Sequence, residues 1–527
     1  MLFENFLKKN YTLIVGLLLI VGFSIRLFGI SIIPRDLNQD EASIGYEAFS
    51  ILTTGFDRNG VSYPVHLVSW GSGQNALYAY LSMPFIKMFG LNEFSVRIVN
   101  ALFSCMSLLV FYLLIRLNFN KKTALLALFL LAICPWSIMS ARWGLESNIF
   151  PSLFLFAVFF LYMGIVKKQV YYVVSSVLFA ISLYAYGTSY LLVPLFLISV
   201  IPYLFYQKKI SLKYFIFSGI AFLIISFPII IFIAINHFNL PQVQMFGVTM
   251  PRLEANRTTV IFNIVSSDFL QNIIRNMKHL LKIIIIQADD NLYNVIPAIG
   301  TVYHISLPFF LAGIIHVVKN RKCINNGLLN NIMLIWILVS IFFGITSAVN
   351  INRINIIFFP MLYFTLVGIL NVKKIIFYKY QYHYKIACIT LYSVLFLLFS
   401  LIYISYNNKE FNTFFCDLKN AIEYCNANYP NQKIHITTDN INTPYIYVCF
   451  YNKINPVLFK NTVKYSGYDN AFKEVLSFGK YTFGIPEKLA NDEIEIVSEN
   501  DIKFLLLEGK DCKQFKSYYV ISPLSRM

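Results

Sequence analysis

The sequence predicts a polytopic α-helical membrane protein of about eleven transmembrane helices, followed by a soluble α/β domain. Three observations predict it. The 527 residues are 57% hydrophobic and 13% charged, with a mean hydropathy of +0.62. A water-soluble core of this size could not hide that much apolar surface. Apolar runs of about 19–20 residues, long enough to cross a bilayer, recur up to residue 405. After Tyr406 the runs shorten and charge rises, and fourteen of the 26 acidic residues lie there.

Taken in order, the runs begin near Tyr11, Phe94, Thr123, Ser147, Val170, Ser189, Tyr214, Val295, Leu328, Arg353 and Lys385. The first is too long for a signal-peptide core and lacks a small-residue cleavage site, so it reads as a retained helix. Basic residues cluster between alternate runs: Lys8-Lys9, Arg116 with Lys121-Lys122, Lys167-Lys168, Lys208-Lys209, Lys319 with Arg321-Lys322, and Lys373-Lys374. Positive charge stays on the cytoplasmic side. The pattern therefore puts the N-terminus inside and, with an odd number of spans, the C-terminal domain outside the cell membrane. It also accounts for the net charge of +17 without a nucleic-acid partner.

Two outer loops are long, residues 34–93 and 236–294. Each holds a stretch suited to a helix lying in the membrane interface, around Tyr78–Lys87 and Met277–Ile284. In the tail, Phe414–Asn428 reads as an amphipathic helix. Lys433–Thr438, Glu493–Val497 and Ile502–Leu507 read as strands. The expected domains are thus 1–405 and 406–527. Cys416, Cys425, Cys449 and Cys512 allow one or two disulfides in the tail, but their spacing fixes none. There is no zinc-type spacing, glycine-rich phosphate loop or Gly-x-Ser-x-Gly.

Five acids fall between Asp36 and Asp57, in a chain otherwise poor in charge. Adjacent carboxylates at a membrane surface, Asp40-Glu41, suit proton abstraction or cation binding; the plainer alternative is an acidic helix start. A second outer loop, Ser140 to Asn148, carries Arg142 and Glu146, whose plainer role is a surface ion pair. Arg26 and Arg353 sit at helix ends, where an arginine either snorkels to headgroups or holds a ligand. Tyr184 to Tyr190 forms a small polar turn with aromatic walls. Carboxylates can deprotonate an acceptor hydroxyl, and arginines can hold a departing lipid phosphate. Glycosyl transfer from a polyprenyl-phosphate sugar needs that combination and no nucleotide site.

The chain resembles GT-C superfamily glycosyltransferases of the protein-mannosyltransferase and aminoarabinose-transferase type, over Tyr11 to Asn371. The resemblance rests on Asp40-Glu41 followed by Tyr46, on Gly71-Ser72-Gly73-Gln74-Asn75-Ala76-Leu77-Tyr78, and on Pro84, Gly90 and Ser95-Val96-Arg97. Ala185-Tyr186-Gly187-Thr188-Ser189-Tyr190 and Arg353 through Phe359-Pro360 extend it. It implies a GT-C-like fold with Asp40 as catalytic base and Glu146 as a second acid, where many relatives have Asp. Glu41 is a further catalytic expectation. Arg142, Arg353 and Arg26 are expected on the donor phosphate, and Tyr46, Gln74 and Tyr186 on substrate. The expected reaction is an inverting transfer from a polyprenyl-phosphate sugar to a glycan, lipid or protein acceptor on the outer face. No metal is expected to be obligatory, although Asp40 and Glu41 could bind a divalent cation. The alternative is a lipid-linked glycan transporter or flippase. Such a protein should show paired half-chain repeats and broken helices.

Overall fold

The computed structural model describes residues 10–255, 269–289, 292–320, 327–409, 417–466, 473–486, 492–504 and 510–523. Lys8-Lys9, Arg321-Lys322, Cys416, the start of the expected helix at Phe414 and the end of the expected strand at Leu505–Leu507 lie outside the described residues. The chain forms two compact units. One comprises Met1–Phe28, Asn100–Phe227 and Thr258–Tyr406. The other comprises Gly29–Val99, Pro228–Arg257 and Asn407–Met527. Compactness therefore groups the tail with residues 29–99 and 228–257, where the sequence suggested a boundary at 406.

The first unit is helical. Among the described residues, seven helices are long and apolar enough to cross a membrane, or eight if one bent pair counts as a span. Three shorter apolar helices, Tyr11–Leu27, Tyr171–Ser182 and Ser306–Lys319, coincide with three of the eleven expected runs. The run expected from Val295 starts as helix only at Ser306. Pro297 and Gly300, the latter at φ +82°, break it. The buried Gln287 side chain takes up the irregular backbone by accepting from Val302 N at 2.9 Å and donating to Tyr303 O at 3.2 Å. Within this unit the span Ile351–Ile375 is 89% buried and central, whereas Tyr378–Ser405 is 22% buried and peripheral. Gly313 and Gly368 let Ser306–Lys319 meet the central span closely. A Cβ at either position would lie 1.9 or 1.8 Å from the facing carbonyl oxygen.

The bent pair is Lys121–Ala132 with Pro135–Ala141, meeting at 56°. Pro135 cannot continue the first helix, and it fits the first position of the second. The second long loop contains the helix Phe269–Leu281, continued by a π-helical turn to Ile286. It starts earlier than the stretch expected at Met277. Leu270, Ile274, Met277 and Leu281 form an exposed apolar stripe along it.

In the other unit, the first long loop forms two helices, α1 (Gln39–Thr54) and α2 (Leu77–Phe89), and a short ribbon of β1 (His66–Leu67) and β2 (Gln74–Asn75). The tail forms α3 (Leu418–Asn428), α4 (Tyr445–Tyr451) and a seven-stranded sheet. Its parallel centre is Ile434–Ile436 between Tyr481–Phe483 and Ile494–Ser498; all other pairings are antiparallel. The strand expected from Ile502 is instead a 3₁₀ turn over Asp501–Phe504. Apolar content alone does not separate a buried turn from a strand. Cys425, Cys449 and Cys512 are unbridged.

Candidate active site

Asp40 sits at the second position of α1, and the local sequence dictates why. Asn38 caps the helix by accepting from Asp40 N at 2.9 Å, and Glu41 accepts from Asn38 N at 3.1 Å, a reciprocal capping box. Gly55 ends the helix in the left-handed conformation at φ +79°. The two acids then diverge. Asp40 is half-buried, at a helix start where the backbone N–H groups favour negative charge. Glu41 is fully buried, and Arg97 grips both its oxygens, Nε at 2.8 Å and Nη2 at 3.0 Å. Arg97 also donates to the carbonyls of Ile30 at 3.1 Å, Pro34 at 2.6 Å and Asp36. Three of its five donor hydrogens therefore hold the turn that leads into α1, and the other two hold Glu41 within the helix. Glu41, expected as a catalytic group, is the buried anion paired with Arg97.

Tyr46 and Gln74 are likewise committed to the fold. The Tyr46 hydroxyl donates to Ile454 O at 3.0 Å. The Gln74 amide oxygen accepts from Ser43 Oγ at 3.1 Å and Ser69 Oγ at 3.3 Å. Both side chains are buried: Tyr46 ties α1 to Ile454, and Gln74 holds Ser43 of α1 from β2. The sequence placed them near the site but could not show which way they faced.

Beside them lies a buried cluster of Glu47, Asp57 and Arg58. Glu47 accepts from Arg58 N at 2.9 Å and Ser69 Oγ at 3.1 Å, with Arg58 Nε at 3.4 Å. Arg58 stacks over Trp70 at 4.6 Å. Burial, with the Glu47 carboxylate close by, pushes the Asp57 carboxyl up to about 7. The folded state thus holds a proton on Asp57 that the unfolded chain releases near pH 4. Stability falls as pH rises from about 4 to about 7. Asp57→Asn keeps an oxygen for the N–H groups of Asn59 and Val61, at 3.0 and 2.9 Å, and removes the charge. It should raise the melting temperature at pH 8 and leave it unchanged at pH 5. Thermal unfolding in detergent at the two pH values tests this, and an equal shift at both would contradict it.

The remaining residues belong to the helical unit. Arg26 is fully buried and donates to the carbonyls of Gly22 (3.0 Å), Ala132 (3.1 Å) and Leu131 (3.1 Å), and to Ser104 Oγ (2.8 Å) and Ser137 Oγ (2.7 Å). It caps the C-terminal carbonyls of the helix broken at Ala132, where a cation is favoured. Every donor of this expected phosphate ligand is engaged within the protein. Arg142 answers it from the other side of the break. Its Nη1 donates to Ile25 O at 2.7 Å and Phe28 O at 2.8 Å, at the end of Tyr11–Leu27. The loop between Arg142 and Glu146 is held by Asn100, which donates to Trp143 O at 2.6 Å and Leu145 O at 3.0 Å. Asn355 adds a bond to Ser147 O at 2.9 Å. Glu146 opens the helix Glu146–Val166 and is half-buried. Tyr186, also half-buried, lies in the turn before Ser189–Tyr206, where its carbonyl accepts from Ser189 N at 3.0 Å.

Arg353 lies elsewhere in this unit, on a cavity of about 330 Å³ lined by Arg275, His279, Lys282, Asp289 and Asn350 as well. Asn350 caps the turn that carries Arg353 by accepting from its N–H at 3.0 Å. Arg353 Nη1 donates to Ala348 O at 2.9 Å, and Asp289 accepts from Ile351 N at 2.9 Å. Three nitrogen cations or cation-formers from one helical stretch join one arginine around a single carboxylate, which suits an anion. Sequence reading missed Arg275, His279 and Lys282. Their signal was the amphipathic stretch itself, but only folding brings residues 275–282 beside 348–353.

Comparison with known proteins agrees with this fold. A sequence model described as dolichyl-phosphate-mannose-protein mannosyltransferase matches residues 75–232. No curated protein matches in sequence. The structure of ArnT from Cupriavidus metallidurans bound to undecaprenyl phosphate superposes with a TM-score of 0.57 at 12% identity, covering 98% of each chain. The apo oligosaccharyltransferase of Archaeoglobus fulgidus gives 0.54 at 12% identity, covering 84% of this chain and 64% of its own. The Archaeoglobus fulgidus AglB complex with an inhibitory peptide and a dolichol-phosphate gives 0.50 at 13% identity over the same shares. Sequence landmarks, family match and fold converge: the chain resembles the GT-C glycosyltransferases of the protein-mannosyltransferase and ArnT-like type.

Proposed function

We propose that the chain is a membrane glycosyltransferase. It moves a sugar from a polyprenyl-phosphate donor to a hydroxyl of a glycan, lipid or protein acceptor on the outer face of the cytoplasmic membrane. One observation carries the reading. A half-buried carboxylate, Asp40, stands at the start of a capped helix, in a fold shared with ArnT bound to undecaprenyl phosphate. Asp40 takes the acceptor proton as that oxygen attacks the anomeric carbon. The bond from that carbon to the phosphate oxygen breaks on the opposite side, so the configuration inverts. Glu146 positions the acceptor. The N-terminus is cytoplasmic and the tail is outside.

Arg353 receives the donor phosphate together with Arg275 and Lys282. The donor phosphodiester has two unesterified oxygens that accept from several cations at once, and a charge-assisted bond of this kind contributes about 1.5–3 kcal/mol. Arg353→Ala and Arg275→Ala should therefore each raise KM for a synthetic polyprenyl-phosphate sugar by roughly tenfold or more, with a smaller change in kcat. No metal is obligatory in this reading, so turnover by the purified protein should persist in chelator. Loss of turnover in chelator, restored by one added metal, would overturn the metal-free reading. Unchanged KM in both variants would move the phosphate away from this cavity.

A further inference from the structure

We propose that the C-terminal segment takes part in the reaction by fixing the entry to α1, and that Asp417 is the positioning residue. The proposal rests on Asp40 acting as the base. Arg97 holds the turn of residues 30–38 from the protein interior. The opposite side of that turn is held by Asp417, the residue immediately before α3. Asp417 is buried at 4% exposure. Its Oδ1 accepts from Arg35 Nη2 at 2.9 Å and from Asn420 Nδ2 at 3.1 Å. The Lys516 ammonium lies 3.2 Å from its Oδ2. Its backbone N–H donates to Asp36 Oδ2 at 2.7 Å. One residue of the tail therefore engages two consecutive residues of the turn, four and five positions before Asp40.

Two further contacts show that this grip belongs to a built surface. Lys419, two residues on, pairs with Glu93 at 2.6 Å, one helical turn before Arg97. On α4, Phe450 lies against Gly45 of α1. A Cβ there would come within 2.5 Å of the Phe450 ring and 2.8 Å of Val96, so only glycine admits this approach. α1 is thus clamped along its length by α4 and at its entry by Asp417. A base two residues past a helix cap moves when the cap moves. Reacting groups displaced by about 1 Å can lose on the order of 10²-fold in rate. The tail is therefore a scaffold for the base rather than an appended binding module.

The experiment compares Asp417→Ala, Asp417→Asn and Arg35→Gln in the full-length protein. The readouts are steady-state transfer from a polyprenyl-phosphate sugar and hydrogen–deuterium exchange over residues 35–44. Asp417→Ala should lower kcat about tenfold with donor KM unchanged, and should speed exchange in that segment. Asp417→Asn keeps an acceptor for Arg35 and should recover part of the loss. Arg35 is 36% exposed in its side chain, so Arg35→Gln carries the same test if Asp417→Ala fails to fold. Parental kcat and parental exchange in the folded variants would overturn the proposal. An inactive Asp40→Asn beside a fully active Asp417→Ala sinks the positioning role alone. A fully active Asp40→Asn sinks the base, and the positioning role with it.

Discussion

Asp40→Asn is expected to cut turnover by at least about 10²-fold while leaving expression and donor binding close to parental. A general base that removes a hydroxyl proton in the transition state contributes typically ~10²–10⁴-fold. Asparagine keeps the size and the hydrogen-bonding oxygen of aspartate and loses the basicity. The fold should tolerate it. Asp40 is half-buried rather than enclosed, and its backbone N–H, not its side chain, bonds to the Asn38 cap. Loss of one charge near a helix start costs only about 0.3–1 kcal/mol. Glu146→Gln should be milder, because a positioning group influences binding and orientation more than proton transfer. The measurement is transfer by purified protein from a synthetic donor, with donor binding determined separately. Parental turnover in Asp40→Asn would make Asp40 an ordinary helix-start acid and remove the catalytic assignment.

The sequence showed where helices begin better than what their polar residues touch. Hydropathy marked the helices because a bilayer demands long apolar runs, and an Asn-x-x-Glu pattern opening at Asn38 encodes a helix start that the structure contains. Resemblance brought Asp40 and Glu41 forward together, as neighbours. Only burial separates them, since Glu41 is enclosed against Arg97 whereas Asp40 is not. Arg26 shows the same limit. An arginine in an apolar helix invites a ligand by default. Its actual partners are carbonyls freed by a break more than 100 residues later in the chain, which no local pattern announces. The irregular stretch before Ser306 escaped for a related reason. Its apolar residues satisfy a hydropathy window, while the side chain that stabilises its non-helical backbone is the distant Gln287. The grouping of the tail with the outer loops depends on specific ion pairs such as Arg35 with Asp417, whose members are 382 positions apart.

Arg97→Met should destabilise the protein by about 3–5 kcal/mol, because it strands a buried carboxylate. Both members of the pair are fully buried, so the Glu41 anion would have neither water nor a countercharge. The carbonyls of Ile30, Pro34 and Asp36 would lose a donor at the same time. Arg97→Lys should rescue little. An ammonium keeps the charge, but it is a compact point with three donors and cannot span a carboxylate and three carbonyls as the planar guanidinium does. The double variant Glu41→Met with Arg97→Met is the informative control. With both charges gone, no ion is stranded, so it should be more stable than Arg97→Met alone. Recovery in the double variant assigns the loss to the orphaned carboxylate. Absence of recovery assigns it to the three carbonyls and the open turn. Transfer activity separates the pair's two duties, because even a double variant that recovers stability still lacks the grip on residues 30–36. It should remain impaired in kcat. Thermal unfolding of the three variants in one detergent, paired with single-substrate kinetics, provides the test. An Arg97→Met protein within about 1 kcal/mol of the parent, well below the range for a broken buried pair, would mean that this pair does not hold the catalytic helix in place.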